Sequence, residues 1–64
     1  MAEMFAKRSP RGQFVIRRET DGHCVTPPGS YAAYTSSLEG AVRFITREQA
    51  NKEACGNEYV ERLP

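Results

Sequence analysis

Apolar and polar residues alternate most clearly over residues 13–18, and this two-residue period predicts a β-strand. Successive side chains of a strand point to opposite sides of the sheet. Phe14 and Ile16 therefore define a first face, and Val15 and Arg17 define a second face. The first face is the more apolar of the two, so we expect it to line the core.

Asp21-Gly22 follows this strand and predicts a hairpin. Glycine, and aspartate at small cost, tolerate the positive φ angles of a two-residue type I′ turn. With Asp21 and Gly22 as the two loop residues, Arg18 faces Val25. Val25 then belongs to the first face, and Cys24 to the second. The prolines at positions 27 and 28 cannot donate to a ladder, so the hairpin ends before them.

Residues 36–45 support two interpretations. The sequence of residues 31–35 does not predict one type of secondary structure. Ser36 and Glu39 have the spacing of a capping box. Four apolar residues then stand at helical spacing: Leu38, Ala41, Val42 and Ile45. Alternatively, one helical turn precedes a short strand over residues 42–45, with Val42 and Phe44 pointing inward. Gly40 and the β-branched residues favour this second interpretation.

The best helix signal covers residues 46–55. Thr46 and Gln49 have the spacing of a capping box, and Ile45 and Ala50 that of a hydrophobic staple. Gly56 is placed as the left-handed residue that ends the helix. These signals together predict a helix with a small-residue contact stripe that lies close to a sheet.

A last strand is predicted over residues 57–63. Tyr59, Glu61 and Leu63 fall on one of its faces, and Val60 and Arg62 on the other. A charged residue among the first three indicates an edge strand or one that is only half buried. The element order β-β-β-α-β predicts an α+β fold: a small antiparallel sheet of three or four strands with one helix packed on one face.

The chain resembles short uncharacterised proteins of bacteria and their phages over about residues 13–62. The resemblance is carried by Phe14-Val15-Ile16, Asp21-Gly22, Leu38, Ala41, Phe44 and the run Thr46-Arg47-Glu48-Gln49-Ala50. These motifs are structural, and Cys24 stands where that pattern usually has an aromatic residue. The resemblance implies a setting, a small accessory protein of phage or mobile DNA. In that setting, a further hypothesis is that the protein binds and modulates a host protein or defence complex.

The length and composition predict a single cytoplasmic domain. Sixty-four residues hold one core at most. Neither a membrane-spanning run nor a signal-length apolar stretch is visible in the sequence. We expect Cys24 and Cys55 to be small hydrophobes in a reducing compartment rather than a disulfide.

Positive charge gathers at the start of the chain. Residues 1–18 hold five basic side chains against Glu3 alone: Lys7, Arg8, Arg11, Arg17 and Arg18. The breaker cluster at residues 9–12 predicts that residues 1–12 form a flexible basic arm and residues 13–64 the α+β domain. Such a charge asymmetry is typical of a chain that meets an anionic partner, or of a solvated tail.

No residue pattern in the sequence predicts catalysis, a cofactor or a metal site. His23 and Cys24 are adjacent on a predicted strand, so their side chains point to opposite faces and cannot form a nucleophile–base pair. With one histidine and two cysteines, a structural zinc site lacks a fourth nitrogen or sulfur ligand. The glycines are isolated and form no phosphate-binding loop. We therefore expect a protein that is not an enzyme.

The leading hypothesis is a protein-binding module. Tyr31, Tyr34 and the basic residues Lys7, Arg8, Arg11, Arg17 and Arg18 are its candidate partner-binding residues, because tyrosine and arginine are enriched in interface hot spots. The alternative for the tyrosines is that both cover the sheet edge. A second hypothesis is nucleic-acid binding through the basic arm. A third is a structural homo-oligomer, such as a homodimer, formed through an open sheet edge.

Overall fold

A computed structural model describes residues 12–64 of the chain. The elements are strands β1 (Phe14–Arg18), β2 (Cys24–Val25) and β3 (Tyr34–Thr35), a 3₁₀ turn at Leu38–Gly40, helix α1 (Arg47–Glu53) and strand β4 (Glu58–Arg62). The four strands form one antiparallel sheet in the order β3-β2-β1-β4, and α1 packs against β1 and β4. The predicted α+β fold is confirmed.

β1 is the central strand, and both of its predicted faces are buried. Ile16 on the first face is 1% exposed, and Val15 on the second face is 0% exposed. Val25 packs on the first-face cluster, and Cys24 belongs to the second-face cluster, as the sequence predicts. The two-residue period therefore assigned these side chains correctly.

The hairpin register differs from the prediction by two residues. Arg17 is paired with Cys24, which places Arg18 opposite His23, whereas the predicted register placed Arg18 opposite Val25. A type I′ turn needs positive φ at two residues, but in residues 12–64 positive φ occurs only at Gly22 and Gly29. The Gly22 amide donates to the Arg18 carbonyl (2.7 Å), which closes a four-residue loop. A shift of two residues keeps each side chain on its face, whereas a shift of one would invert the sheet.

The segment after β3 follows the second of the two interpretations in part: one helical turn precedes an extended stretch, but the third strand of the sheet is Tyr34–Thr35 and not residues 42–45. A single 3₁₀ turn is capped by Ser37, whose side chain accepts from the Glu39 amide, so the predicted capping box at Ser36 is wrong. The chain then runs extended, and Phe44 forms an isolated antiparallel bridge with Phe14 through bonds of 2.9 and 3.1 Å. This bridge occupies the side of β1 that the short β2 leaves unpaired.

Helix α1 begins as predicted and ends early. The Thr46 hydroxyl accepts from the Gln49 amide at 3.2 Å, which is one half of the predicted capping box; the reciprocal bond to the Thr46 amide is not formed, since Gln49 Oε1 has no hydrogen-bond partner among the described residues. At the other end the cap is Ala54, in extended backbone. The prediction that Gly56 ends the helix with positive φ is wrong, since its φ is not positive. The chain leaves the helical conformation before Gly56 because the backbone amide of Cys55 donates to the side chain of Glu58 at 2.8 Å.

Two apolar clusters hold the domain together, one on each side of the sheet. The larger one, on the first face beneath α1, contains Ile16, Val42, Phe44 and Ala50. The smaller one, on the second face, contains Val15, Cys24 and Ala41. Removing a buried aromatic ring such as Phe44 costs about 3–5 kcal/mol. That is a large share of the total stability of about 0.05–0.15 kcal/mol per residue, so the larger cluster decides whether this chain folds.

Gly12 packs as part of the domain. It is buried, and its carbonyl accepts from the Arg43 guanidinium at 3.3 Å. A Cβ atom at this position would lie 2.4 Å from the Phe44 carbonyl oxygen. The close approach of the two backbones therefore requires glycine at position 12. The rest of the predicted arm, residues 1–11, lies outside the described residues.

Candidate functional site

Arg18 and Asp21 form a two-pronged ion pair at the turn of the first hairpin. The arginine Nε lies 3.1 Å from Asp21 Oδ1, and Nη2 lies 2.7 Å from Oδ2. The hairpin loop creates this geometry by returning Asp21 over the end of β1. A bidentate arginine–carboxylate pair restricts the orientation of both groups in addition to pairing their charges. It therefore fixes the Arg18 side chain.

The Asp21 carboxylate also organises its own loop. Its Oδ1 accepts from the His23 backbone amide at 3.1 Å, and its Oδ2 lies 3.5 Å from His23 Nδ1. The hydrogen bonds from Arg18 and from this amide lower the pKa of Asp21 from 3.8 to about 2. The carboxylate therefore stays charged through the whole neutral and mildly acidic range.

A second set of contacts extends from Arg18 across the first face. Its guanidinium carbon lies 4.0 Å from the centroid of the Tyr34 ring. The Tyr34 hydroxyl donates to the Glu58 carboxylate, which raises the pKa of the tyrosine. For Glu58, burial favours the neutral form, but the hydrogen bonds from Tyr34 and from the Cys55 amide outweigh it and lower the pKa. Strands β1, β3 and β4 are thus joined by one polar chain.

Arg17 is held in the same way on the second face. Its Nε pairs with the Glu61 carboxylate on β4, and its Nη1 donates to the Gly22 carbonyl at 2.8 Å. The hydrogen bond to Glu61 raises the pKa of this arginine. Beside it, burial raises the pKa of the Cys24 thiol, which makes that thiol a poor nucleophile.

The candidate partner-binding residues therefore fall into three groups. Arg17, Arg18 and Tyr34 each have side-chain partners within the domain. Tyr31 is fully exposed. The remaining basic candidates lie outside the described residues: Lys7, Arg8 and Arg11. The structure does not bring Tyr31 into the polar chain that Arg18 and Tyr34 share.

The loop between β2 and β3 presents Tyr31 in a defined conformation. Its first turn is a type II β-turn, with Pro28 at the second position and Gly29 at the third with φ of 85°. The Ser30 amide donates to the Pro27 carbonyl at 3.2 Å and closes this turn. The base of the loop is closed by Thr26, whose amide donates to the Ala33 carbonyl at 3.0 Å and whose hydroxyl donates to the Ala32 carbonyl.

An apolar groove of about 210 Å³ lies next to this loop. It is open to solvent, and its walls come from the first-face cluster, the loop and the end of α1: Ile16, Val25, Thr26, Pro28, Val42, Phe44 and Glu53. Pro28 is shared by the groove and the turn. A volume below the ~300 Å³ usual for small-molecule sites suits a single inserted side chain.

His23 and Cys24 do not form a site together, and no metal-ligand group occurs in the described residues. Cys24 is 2% exposed, whereas His23 lies in the loop beside Asp21. Over residues 12–64 no three histidine, cysteine or acidic side chains are grouped as metal ligands. Within the same range, no helix has the length and apolar character needed to cross a bilayer.

Sequence reasoning did not identify Glu58, Glu61 or the groove. The two glutamates lie 24 and 44 residues from the partners they bind, Tyr34 and Arg17. Only the pairing of β4 with β1 brings them together, and no local spacing could signal it. The groove depends on Val25 lying opposite Ile16, whereas the predicted register placed Val25 opposite Arg18.

Comparison with protein-family models, with curated proteins and with solved structures found no significant match for this chain. The resemblance to short bacterial and phage proteins therefore stays a prediction.

Proposed function

We propose that this chain is a non-enzymatic protein-binding module that docks through the β2–β3 loop. The observation that supports the proposal is Tyr31, whose side chain is fully exposed at an ordered loop. Tyrosine is enriched among residues that dominate binding energy, because its ring gives a large contact area and its hydroxyl a polar contact.

The fixed shape of the loop supports the same proposal. Binding is weakened when a loop has to be ordered at the interface, and a loop already held in place avoids that cost. Here the type II turn and the two bonds from Thr26 hold the backbone on both sides of Tyr31. The ring is therefore offered to a partner at a small entropic cost.

The groove beside Pro28 extends this surface. Its lining is mostly apolar, and Glu53 stands at its rim. A partner protein that covers Tyr31 can place one apolar side chain in the groove. Burying apolar area contributes about 25 cal/mol per Å², so a filled groove adds to the binding that Tyr31 provides.

The alternative of nucleic-acid binding receives less support from the same contacts. Arg17 and Arg18, the two candidate arginines of β1, are each paired with a carboxylate. A phosphate would have to displace Glu61 or Asp21 before it could bind either of them. Of the five candidate basic residues, Lys7, Arg8 and Arg11 would then be left to bind DNA or RNA.

A cytoplasmic setting is part of the proposal. Cys24 and Cys55 are both free thiols, and unpaired cysteines are the usual state of proteins in a reducing compartment. Fractionation of cells that express the tagged chain checks this, and recovery from the membrane or the medium would contradict it.

Site-specific photocrosslinking tests the docking surface. A benzoylphenylalanine at position 31 replaces one exposed aromatic residue by another, and the same group at Leu38, which is 40% exposed, is the matched control. We expect position 31, and not position 38, to capture a protein partner in the source cell. Excess wild-type chain should compete this adduct away, whereas excess Tyr31→Ala should not. Equal capture at both positions, or none at position 31, would contradict the proposal.

A further inference from the structure

Strand β4 has one side that no described strand covers. It pairs with β1 along five residues and stands at the edge of the sheet. The Glu19 amide donates to the Asn57 carbonyl, and the Leu63 amide to the Gln13 carbonyl. Since these bonds repeat at every second residue of an antiparallel pair, the odd-numbered backbone groups of this segment point toward β1. The backbone groups of residues 58, 60 and 62 point outward.

Within the described part of the chain, almost all of these outward groups have no backbone partner. Among the backbone bonds of residues 12–64, the Glu58 amide donates to the Cys55 carbonyl at 3.0 Å. The outward amides of Val60 and Arg62 and the carbonyls of all three residues face away from the sheet. An edge of this kind is a template for another strand.

The sequence of β4 is complementary to itself when it is read in the opposite direction. If two copies pair antiparallel with Val60 opposite Val60, then Glu58 stands opposite Arg62 at both ends. Opposite charges in directly facing positions stabilise a strand pair. The same alignment lets the outward residues exchange backbone bonds, because each of them faces another outward residue.

Neighbouring alignments lack this match. A shift that places Glu61 opposite its own copy brings two like charges together, which is destabilising. If Tyr59 lies opposite its own copy, Glu58 faces Val60. Neither Glu58 nor Arg62 then faces an opposite charge. Charge therefore selects the alignment centred on Val60.

We propose that β4 is a homodimerisation edge: two copies of this chain join through antiparallel β4–β4 pairing centred on Val60. The dimer contains one continuous eight-stranded sheet about a two-fold axis. Four backbone bonds cross it: each Val60 amide donates to the other Val60 carbonyl, and each Arg62 amide donates to the other Glu58 carbonyl. Directly facing residues share a face of the sheet, so both α1 helices lie on the same side.

The side chains of β4 are compatible with this arrangement. The Glu58 carboxylate accepts from Tyr34 and from the Cys55 amide, and an ionised carboxylate has about four acceptor sites, so it can also bind Arg62 of the second copy. Arg62 is exposed, and its contact with Gln13 Oε1 is long at 3.4 Å. Glu61 remains paired with Arg17 on the second face.

Sedimentation equilibrium of the full chain over a wide concentration range at low salt tests the dimer. We expect a reversible monomer–dimer equilibrium in the wild type. Arg62→Glu places four carboxylates at the two strand ends and should weaken association by about tenfold or more. Lys52→Glu makes the same charge change at an exposed position of α1 and should leave the equilibrium unchanged. A wild type that is monomeric at every concentration would overturn the proposal.

Two further variants keep the test independent of any one substitution. Arg62→Pro removes an outward amide, a change that edge strands tolerate, and should also abolish the dimer. Arg62→Glu mixed with Glu58→Lys should form a heterodimer although neither associates alone, because each strand end then faces the opposite charge. If circular dichroism shows that Glu58→Lys does not fold, Arg62→Pro alone tests whether β4 forms the dimer interface. A dimer that survives both substitutions at position 62 would show that another surface is used.

The β4 edge lies at the opposite end of the strand order from β3. The sedimentation test of the dimer is therefore independent of the photocrosslinking test of the Tyr31 loop. Loss of the dimer leaves photocrosslinking at position 31 unaffected. A failure of partner capture at Tyr31 likewise leaves the sedimentation result unchanged.

Discussion

Arg18 on β1 lies against the ring of Tyr34 on β3, with 4.0 Å between the guanidinium carbon and the ring centroid. The contact passes over the two-residue strand β2, which stands between them in the sheet. Tyr34 in turn donates to Glu58 on β4. The backbone hydrogen-bond ladder between β2 and β3 is short. Side-chain contacts therefore supply a second connection between the two edge strands, β3 and β4.

Loss of the Tyr34 hydroxyl should loosen the β3 edge. Tyr34→Phe keeps the ring under Arg18 but removes the donor to Glu58. We expect a small loss of thermal stability, because Glu58 keeps its bond from the Cys55 amide. Tyr34→Leu removes both contacts and should lower the melting temperature further. Tyr31→Phe removes a hydroxyl from an exposed ring and is the matched control. Equal melting temperatures for Tyr34→Phe and Tyr34→Leu would show that the stacking contributes nothing.

Asp21 should make the domain sensitive to acid. Its pKa is lowered from 3.8 to about 2 by the hydrogen bonds from Arg18 and from the His23 amide. A carboxylate with a lowered folded-state pKa stabilises the native state above its unfolded pKa, and the contribution is lost as the pH falls through the folded value. We expect urea unfolding to show declining stability from about pH 4 toward pH 2.

The variant Asp21→Asn isolates this effect. Its amide oxygen can still accept from the His23 amide, but it carries no charge for Arg18. The decline between pH 4 and pH 2 should be shallower in the variant than in the wild type. Glu58, whose pKa is also lowered, contributes equally in both proteins. Superimposable pH profiles would show that the pair with Arg18 does not stabilise the fold.

Alternation of apolar residues was sufficient to predict the two faces of β1, β2 and β4. Ile16 and Val25 lie on the first face, and Val15 and Cys24 on the second, because strand geometry leaves no other choice. The hairpin register was wrong by two residues. Its loop is shaped by the Asp21 side chain, which binds Arg18 and the His23 amide, and turn propensity alone does not contain those bonds.

The ends of elements were harder to predict for a related reason. Gly56 had the position of a helix-ending residue, yet the helix ends at Glu53 and the following backbone is extended. The deciding contacts are two bonds between Cys55 and Glu58, in which each amide donates to an oxygen of the other residue, and a glycine signal does not contain them. In the candidate site the contacts are distant in sequence: Arg17 and Tyr34 gain their carboxylate partners only when β4 has paired with β1.

Position 12 should accept glycine alone. A Cβ atom there would lie 2.4 Å from the Phe44 carbonyl oxygen and 2.8 Å from its amide nitrogen. Backbone cannot move aside as the end of a side chain can, so Gly12→Ala should force the Phe14–Phe44 bridge apart. We expect a loss of about 1–3 kcal/mol in the free energy of unfolding, the range for overpacked sites.

Gly56→Ala is the control for this substitution. A Cβ at position 56 meets no atom within 4 Å, and its φ is not positive. The change should stay within about 0.5 kcal/mol, as for other surface substitutions. Chemical denaturation of both variants gives the comparison. Equal free energies of unfolding would show that the Gly12–Phe44 approach is not required.

The two thiols should differ sharply in reactivity. Cys24 is 2% exposed and burial raises its pKa, whereas Cys55 is exposed at the end of α1. A thiol reagent reacts with the thiolate and needs access to it. In the folded chain we expect one equivalent to react quickly and a second only at the rate of unfolding, with both reacting at once in denaturant. Cys55→Ser should abolish the fast phase and leave the slow one. A fast reaction of Cys24 in that variant would mean that the second-face cluster opens far more readily than its packing implies, since Cys24 is buried in that cluster with Val15 and Ala41.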